Sequence, residues 1–408
     1  MNKKTVGIVG VGNVGSTLAF TLATKNICST LLLKDLRENF VKAMALDISQ
    51  ATNAAKSKTI TKACLKDEDF KDCDVVVITA GIARKPGMSR DDLLLTNAKI
   101  ITDVIKSTIK YNPNAIIIIV SNPLDAMVYT ALKASNYPRN KIVGMAGILD
   151  SARMAHFIFE KLGYGQGQIE ASVMGGHGDD MVPLADFSTV AGVNLSEVLS
   201  KEDIEDIVKK TKNGGAQIVK LLETGSAYYA PAYSTTLMIE AILEDKRAIY
   251  PCAVMLEGEY GYNDIVSGVP VMLGMNGVEK VIELKLKDEQ KEQFAKSIAS
   301  VQELINVLKE KKMKQTFEVL NVKCGGCANT LIKSLKDEFG EVEVNLDLTP
   351  RQITLDINDD KKEALKVKLR SLGYPLTSDE LSGFEKAATT AKSFVSCAIG
   401  KFDVATSK

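Results

Sequence analysis

Six residues near the start of the chain, Gly10-Val11-Gly12-Asn13-Val14-Gly15, leave little choice of local fold. They follow an apolar run from Thr5 to Val9 and open a helix-forming stretch. Gly10 permits a tight turn, Gly12 lets a phosphate approach the backbone, and Gly15 lets helix and strand pack closely. Three further runs, Thr30 to Leu33, Val75 to Thr79 and Ala115 to Val120, read as buried parallel strands. Helices at about 13–25, 37–55 and 91–110 cross between them. The alternation is that of an α/β, doubly wound parallel sheet, the Rossmann arrangement, over residues 1–150.

Residues 151–313 mix longer helices with strands near 170–174, 247–256 and 269–275, which suggests an α+β substrate domain. A charged helix from about Lys287 to Lys312 closes it, with Phe294, Ile298, Val301, Leu304 and Leu308 on one face. The sequence then restarts. Thr316 to Val322, Glu341 to Leu346, Gln352 to Ile357 and Tyr374 to Thr377 read as strands, and Cys327 to Phe339 and Lys361 to Leu372 as helices. That order, βαββαβ, predicts a ferredoxin-like domain over 314–377, with the boundary at Lys309 to Lys312. A helical extension over 378–408 carries Phe384, Ala388, Ala391, Val395 and Ala398 at helical spacing and is expected to pack on that domain.

With 51 basic and 51 acidic residues the chain has no net charge, which argues against nucleic acid or an anionic membrane as a partner. No apolar run approaches the roughly 18 residues of a membrane span. The start, Met1-Asn2-Lys3-Lys4, runs directly into a strand without a signal-peptide core. Seven scattered cysteines, an odd number, suit a reducing compartment, so the expected location is cytoplasmic.

The acidic residue expected about 20 positions beyond the glycine turn is Asp35. A carboxylate there accepts from ribose hydroxyls and repels a 2′-phosphate, favouring NAD over NADP, although Lys34 and Arg37 flank it and soften that choice. The chain has two histidines. His177 sits in the glycine-rich turn Gly175-Gly176-His177-Gly178-Asp179, a setting suited to a reacting base. His156 stands amid Phe157, Ile158 and Phe159 on a helix and reads as a helix-face or core residue. Asp150 and Arg153, three apart, share one helix face. In isolation each has a bland reading, a helix cap for Asp150 and a surface charge for Arg153. Arg84 and Arg90 lie on one loop around Pro86-Gly87, and with Arg153 they complete a site for a small dianion.

Taken together, these segments resemble the lactate/malate dehydrogenase family, with five motif elements in family order over residues 5–313. The resemblance implies an NAD-dependent enzyme in which His177 exchanges a proton with malate or oxaloacetate and Asp150 orients it. It further implies that Arg153 binds the C1 carboxylate, Arg90 the reacting oxygen, and Arg84 the distal carboxylate that lactate lacks. Lactate or another 2-hydroxy acid is the alternative substrate. Cofactor contacts are implied for Gly10, Gly12, Asn13, Val14, Gly15, Asp35, Asn97, Val120 and Asn122, the last shared with substrate, and a homodimer or homotetramer is the implied assembly.

Near the C-terminus, Cys324-Gly325-Gly326-Cys327 joins a strand to a helix. Two thiols at a helix N-terminus favour the thiolate form and a soft metal. The segment resembles the heavy-metal-associated domain, although Asn321 and Val322 stand where Gly and Met are expected. The resemblance implies Cu(I) or another soft metal at Cys324 and Cys327. A redox pair is the alternative, and Cys397 is either a third ligand or a buried structural thiol.

Overall fold

The computed structural model describes residues 4–83, 87–357, 361–383, 385 and 387–393, with the side chains of 311–314 excepted. Arg84, Phe384, Val395, Cys397 and Ala398 lie outside the described residues. The chain divides into two compact units, Met1–Ile305 and Asn306–Lys408.

The first unit begins with β1 (Thr5–Val9), α1 (Asn13–Thr24), β2 (Thr30–Lys34), α2 (Glu38–Ala54), β3 (Ile60–Ala63) and β4 (Val75–Ile78). It continues with α3 (Arg90–Tyr111), β5 (Ile116–Ile119), α4 (Leu124–Ser135), β6 (Ile142–Gly144) and α5 (Gly147–Leu162). β4 and β5, reading VVVI and IIII, are buried at every position, as parallel strands covered by helices on both faces must be. The pattern in the sequence missed β3, β6 and α4. β3 is an edge strand whose residues are half-buried or exposed, and β6 has three residues, too few to show a period.

Short strands follow: β7 (Ile169–Glu170), β8 (Val173–Met174), β9 (Val182–Pro183), β10 (Thr189–Val190) and β11 (Val193–Asn194). After them come α6 (Leu195–Val198), α7 (Lys201–Leu222), α8 (Tyr229–Leu243), β12 (Ala248–Glu257), β13 (Asn263–Gly274), β14 (Gly277–Val281) and α9 (Asp288–Met313). β12, β13 and β14 do not form a sheet apart from the first half of the chain. They extend the parallel sheet, giving nine strands in the order β14-β13-β12-β6-β5-β4-β1-β2-β3. The junction pairs Ala253 of β12 antiparallel with Gly144 of β6. A side chain at Gly144 would press on Ala253 at 3.0 Å and on Val128 at 2.6 Å, so glycine at this position is what lets the two halves share one sheet.

β13 also fixes the turn that bears His177. Gly175 (φ +87°) and Gly268 exchange backbone hydrogen bonds of 2.7 and 3.0 Å.

In the second unit, β15 (Lys314–Val319), α10 (Gly325–Phe339), β16 (Val342–Asn345), β17 (Arg351–Asp356) and α11 (Lys362–Leu372) follow α9, which runs through the polar segment 309–312 without a break. The antiparallel sheet has the order β15-β17-β16, and Leu376 bridges to Val319 on the outer side of β15. Leu331, Leu335, Ile353, Leu355, Leu365, Leu369 and Tyr374 form its core. Residues 387–393 are helical, but the buried side chains are Thr389 and Ser393, whereas Ala391 is exposed. The reason is a close approach to Gly373, where any side chain would lie 2.5 Å from the Ser393 nitrogen.

Gly268→Ala would place a β-carbon 2.5 Å from the Gly175 carbonyl oxygen. We expect a loss of ~1–3 kcal/mol, as for other overpacked sites, read as a lower urea midpoint. An unchanged midpoint would mean that the strand and turn part without cost.

Candidate active site

The glycine turn after β1 is built as its residues require. Gly10 has φ +94°, donates to the Lys34 carbonyl at 2.8 Å and accepts from Thr79 Oγ1 at 2.7 Å. A β-carbon at Gly15 would run into the Gly10 carbonyl, whereas the space beside Gly12 is open. α1 starts at Asn13 with no side chain capping it, so its first amides face outward as an anion site.

At the end of β2, Asp35 accepts from the Val11 amide (3.0 Å) and from the amide and Nε of Arg37 (3.1 Å each). Burial alone would raise its pKa, but Arg37 and the two amides outweigh it and hold the carboxyl below the usual range. The carboxylate therefore stays charged and braces the turn, with Arg37 Nη2 at 3.4 Å as a fourth donor that a ribose hydroxyl would have to displace. Lys34, the other flanking cation, is taken up by an ion pair with Asp67.

Asn97, the next candidate cofactor contact, lies between two loops. It is 2% exposed, and its amide donates to the carbonyls of Ile82 (3.2 Å) and Asn122 (2.8 Å) while its oxygen accepts from the Ile82 amide (2.9 Å). A buried amide must satisfy both donors. Asn97 therefore ties together two loops at the ends of β4 and β5 and has no donor left for a cofactor.

A cavity of about 240 Å³ opens beside the turn, lined among others by Val14, Val120, Asn122, Arg153, His177, Lys212 and Gly215. Asp150 and Arg153 rise from the first turns of α5. Gly147 lets that helix start close against β8, since a β-carbon there would run into the Val173 carbonyl. Asp150, 1% exposed, accepts from Arg153 Nη1 with Oδ1 (3.0 Å) and faces His177 Nδ1 with Oδ2 (2.8 Å). In the neutral ring that contact assigns the proton to Nδ1 and leaves Nε2 with its lone pair. Burial lowers the imidazole pKa, but the Asp150 carboxylate more than offsets it, with help from Asp125, so the value stands above 6.5. Arg153 keeps a buried Nε without a partner. An orphaned guanidinium donor beside a cavity fits a carboxylate ligand. Gly215 makes room for this group: a β-carbon there would sit 3.3 Å from Arg153 Nη1.

The His177 turn hangs from three distant elements. Besides the Gly175–Gly268 bridge, the Gly176 amide donates to Ser297 Oγ of α9 (2.8 Å) and the His177 amide to Asp125 Oδ2 of α4 (2.8 Å). Asp125, Ser297, Lys212 and Gly215 were not foreseen, because each lies far along the chain from the motif it serves. Arg90, by contrast, begins α3 behind a Ser89–Asp92 capping box, is exposed, and is not among the cavity's lining residues. His156 is exposed on α5 with its ring 5.3 Å from Phe157.

A dinucleotide turn, a histidine–aspartate pair and an arginine with a free donor around one cavity define a dinucleotide-linked dehydrogenase. Residues 4–144 match the model for the lactate/malate dehydrogenase NAD binding domain, and residues 148–314 that for the family's alpha/beta C-terminal domain. The chain belongs to the lactate/malate dehydrogenase family and is an NAD-dependent oxidoreductase. It is 70% identical over 308 residues to the malate dehydrogenase of Aliarcobacter butzleri (76% of this chain, 98% of the relative) and 60% identical over 309 residues to that of Sulfurimonas denitrificans (76% and 97%). Among solved structures it is similar to Cryptosporidium parvum malate dehydrogenase, with a TM-score of 0.73 and 41% identity over 75% of this chain and 99% of that one. It is likewise similar to the lactate dehydrogenase of Cryptosporidium parvum complexed with lactic acid and NAD, with a TM-score of 0.73 and 36% identity over 76% and 99%. Among the described residues, no helix is long and apolar enough to cross a membrane.

Proposed function

We propose that the first unit catalyses reversible hydride transfer between malate and NAD, giving oxaloacetate. The observation that carries this reading is the His177–Asp150 contact of 2.8 Å beside the free Arg153 Nε. When bound, NAD supplies the hydride acceptor. Gly10, Gly12, Asn13, Val14, Gly15 and Asp35 would hold its phosphates and ribose, and Val120 and Asn122 its nicotinamide end. Arg153 binds the C1 carboxylate through its unpartnered donors. In oxidation His177 Nε2 removes the hydroxyl proton while Asp150 stabilises the imidazolium, and in reduction the same atom returns it. Arg90, at the start of α3, is assigned to the charge that develops on the reacting oxygen. Arg84, outside the described residues, pairs with the distal carboxylate. Phe20 of α1, Leu46 of α2, and Tyr229 and Tyr233 of α8 are exposed apolar side chains, which supports self-association as a homodimer or homotetramer.

For the second unit, 314–377 reads as a ferredoxin-like domain. The bridge from Leu376 to Val319 supports this, because it puts a fourth segment beside β15 in the order 4-1-3-2. Cys324 precedes α10 and Cys327 lies in its first turn, and neither is in a disulfide among the described residues. Among the described residues no set of three or more acidic, histidine or cysteine ligands gathers for a metal, and Cys327 is buried in the core. Two thiols alone suit linear Cu(I), and that is the ion we assign to them.

His177→Asn should abolish turnover with NADH binding retained, and His156→Asn should stay active. Because oxidation needs neutral imidazole, kcat/KM for malate should rise with pH through a pKa above 6.5, and that for oxaloacetate should fall over the same range. A dead His156→Asn or a flat profile would sink the assignment. Arg84→Gln should shift preference from oxaloacetate toward pyruvate by ~10²-fold or more, the worth of one desolvated charge pair. An unchanged ratio would remove Arg84 from the substrate. For the thiols, the full chain should take up about one Cu(I) and Cys324→Ser/Cys327→Ser none, with equal uptake excluding the pair.

A further inference from the structure

The peptide that carries His177 is gripped by a buried carboxyl from a helix that takes no other part in the proposed chemistry. Asp125 lies in the first turn of α4, 3% exposed. Its Oδ2 accepts the His177 amide at 2.8 Å, and its Oδ1 is buried with no hydrogen-bond partner. One N–H needs only one acceptor, which an asparagine or serine would supply. Burying a carboxyl with one oxygen unsatisfied is costly, so a simple loop tie does not account for the residue.

The surroundings of the imidazole show what the charge adds. Facing His177 are Asp150 and Arg153 of α5, Asp125 of α4 and Lys212 of α7, with Asp179 on its own loop. Asp150 divides its charge between His177 and Arg153, and both cations, Arg153 and Lys212, oppose a second positive charge in the cavity. Asp125 approaches from the backbone side, away from the cavity. A β-carbon at Gly176 would run into Val301 of α9 at 2.6 Å, so glycine there lets the turn lie against α9, within reach of Asp125.

We propose that Asp125 is a positioning residue for proton transfer, fixing the His177 peptide and supplying a second negative charge that favours the imidazolium. Its effect on the ring is in that direction, with Asp150 the larger contributor. In turn, burial pushes the Asp125 carboxyl up to about 6, with the His177 amide and imidazole pulling against it. The inference rests on His177 being the acid/base group.

The test uses the full chain and steady-state kinetics in both directions across pH 5 to 9. Asp125→Asn keeps an acceptor for the His177 amide and removes the charge. Without that charge the imidazolium is less stable, so neutral base persists to lower pH. The acid limb of kcat/KM for malate should therefore move down by roughly half a pH unit or more, with KM for oxaloacetate within about twofold of the parent. Asp125→Ala, which also leaves the amide unpaired, should lower kcat by about tenfold or more. An Asp125→Asn profile superimposed on the parent's would overturn the proposal. Should that variant not fold, Asp125→Ser, smaller and also an uncharged acceptor, decides by the same limb. Turnover surviving in His177→Asn would instead sink the acid/base reading itself, whereas a dead His177→Asn beside an unaltered Asp125→Asn sinks this inference alone.

Discussion

Everything in the dehydrogenase unit is arranged around one buried carboxylate, Asp150. At 1% exposure its charge has little water to stabilise it and depends on its two partners, Arg153 and His177. Removing one partner of a buried pair typically costs ~3–5 kcal/mol, because the other charge is left uncompensated. The two partners differ in what they have to spare. Arg153 gives Asp150 one nitrogen and keeps an unpaired Nε at the cavity, while His177 gives Nδ1 and keeps Nε2. One anion thus orients a guanidinium and an imidazole together.

Such an arrangement demands rigid placement of a glycine-rich turn that would otherwise be mobile. Its bonds come from β13, α9 and α4, and each reaches a different backbone group of Gly175, Gly176 or His177. The nine-stranded sheet makes this possible. By continuing the parallel strands with β12 and β13, it puts Gly268 against the turn and Ala253 against Gly144. Close approach, not hydrogen bonding alone, selects glycine at 144, 147 and 268.

The second unit obeys separate constraints. It has its own core, centred on Leu331, Ile353, Leu365 and Tyr374, and its sheet order is complete within residues 314–376. Cys327 contributes to that core as an apolar side chain, and Cys324 packs against its edge. The pair therefore carries a packing role whether or not a metal joins it.

Much was legible in the sequence because the information was local. Val75–Ile78 and Ile116–Ile119 announced buried parallel strands by composition alone, and Gly10 to Gly15 announced the cofactor turn by spacing. The three-residue interval from Asp150 to Arg153 put both on one helix face, since helical geometry allows nothing else. The pairing of Asp150 with His177 was available only through family resemblance, for 27 residues separate them. What tertiary structure alone decided has no local signature: the fusion of two sheets at Gly144, the use of Asn97 as a loop tie, the grip of Asp125 and Ser297 on the turn, and the room that Gly215 leaves for Arg153. A local pattern reports how a residue relates to its own helix or strand. Hydrogen bonds and close approaches across 50 to 120 positions depend on how those elements stack, and that is settled by packing a common core.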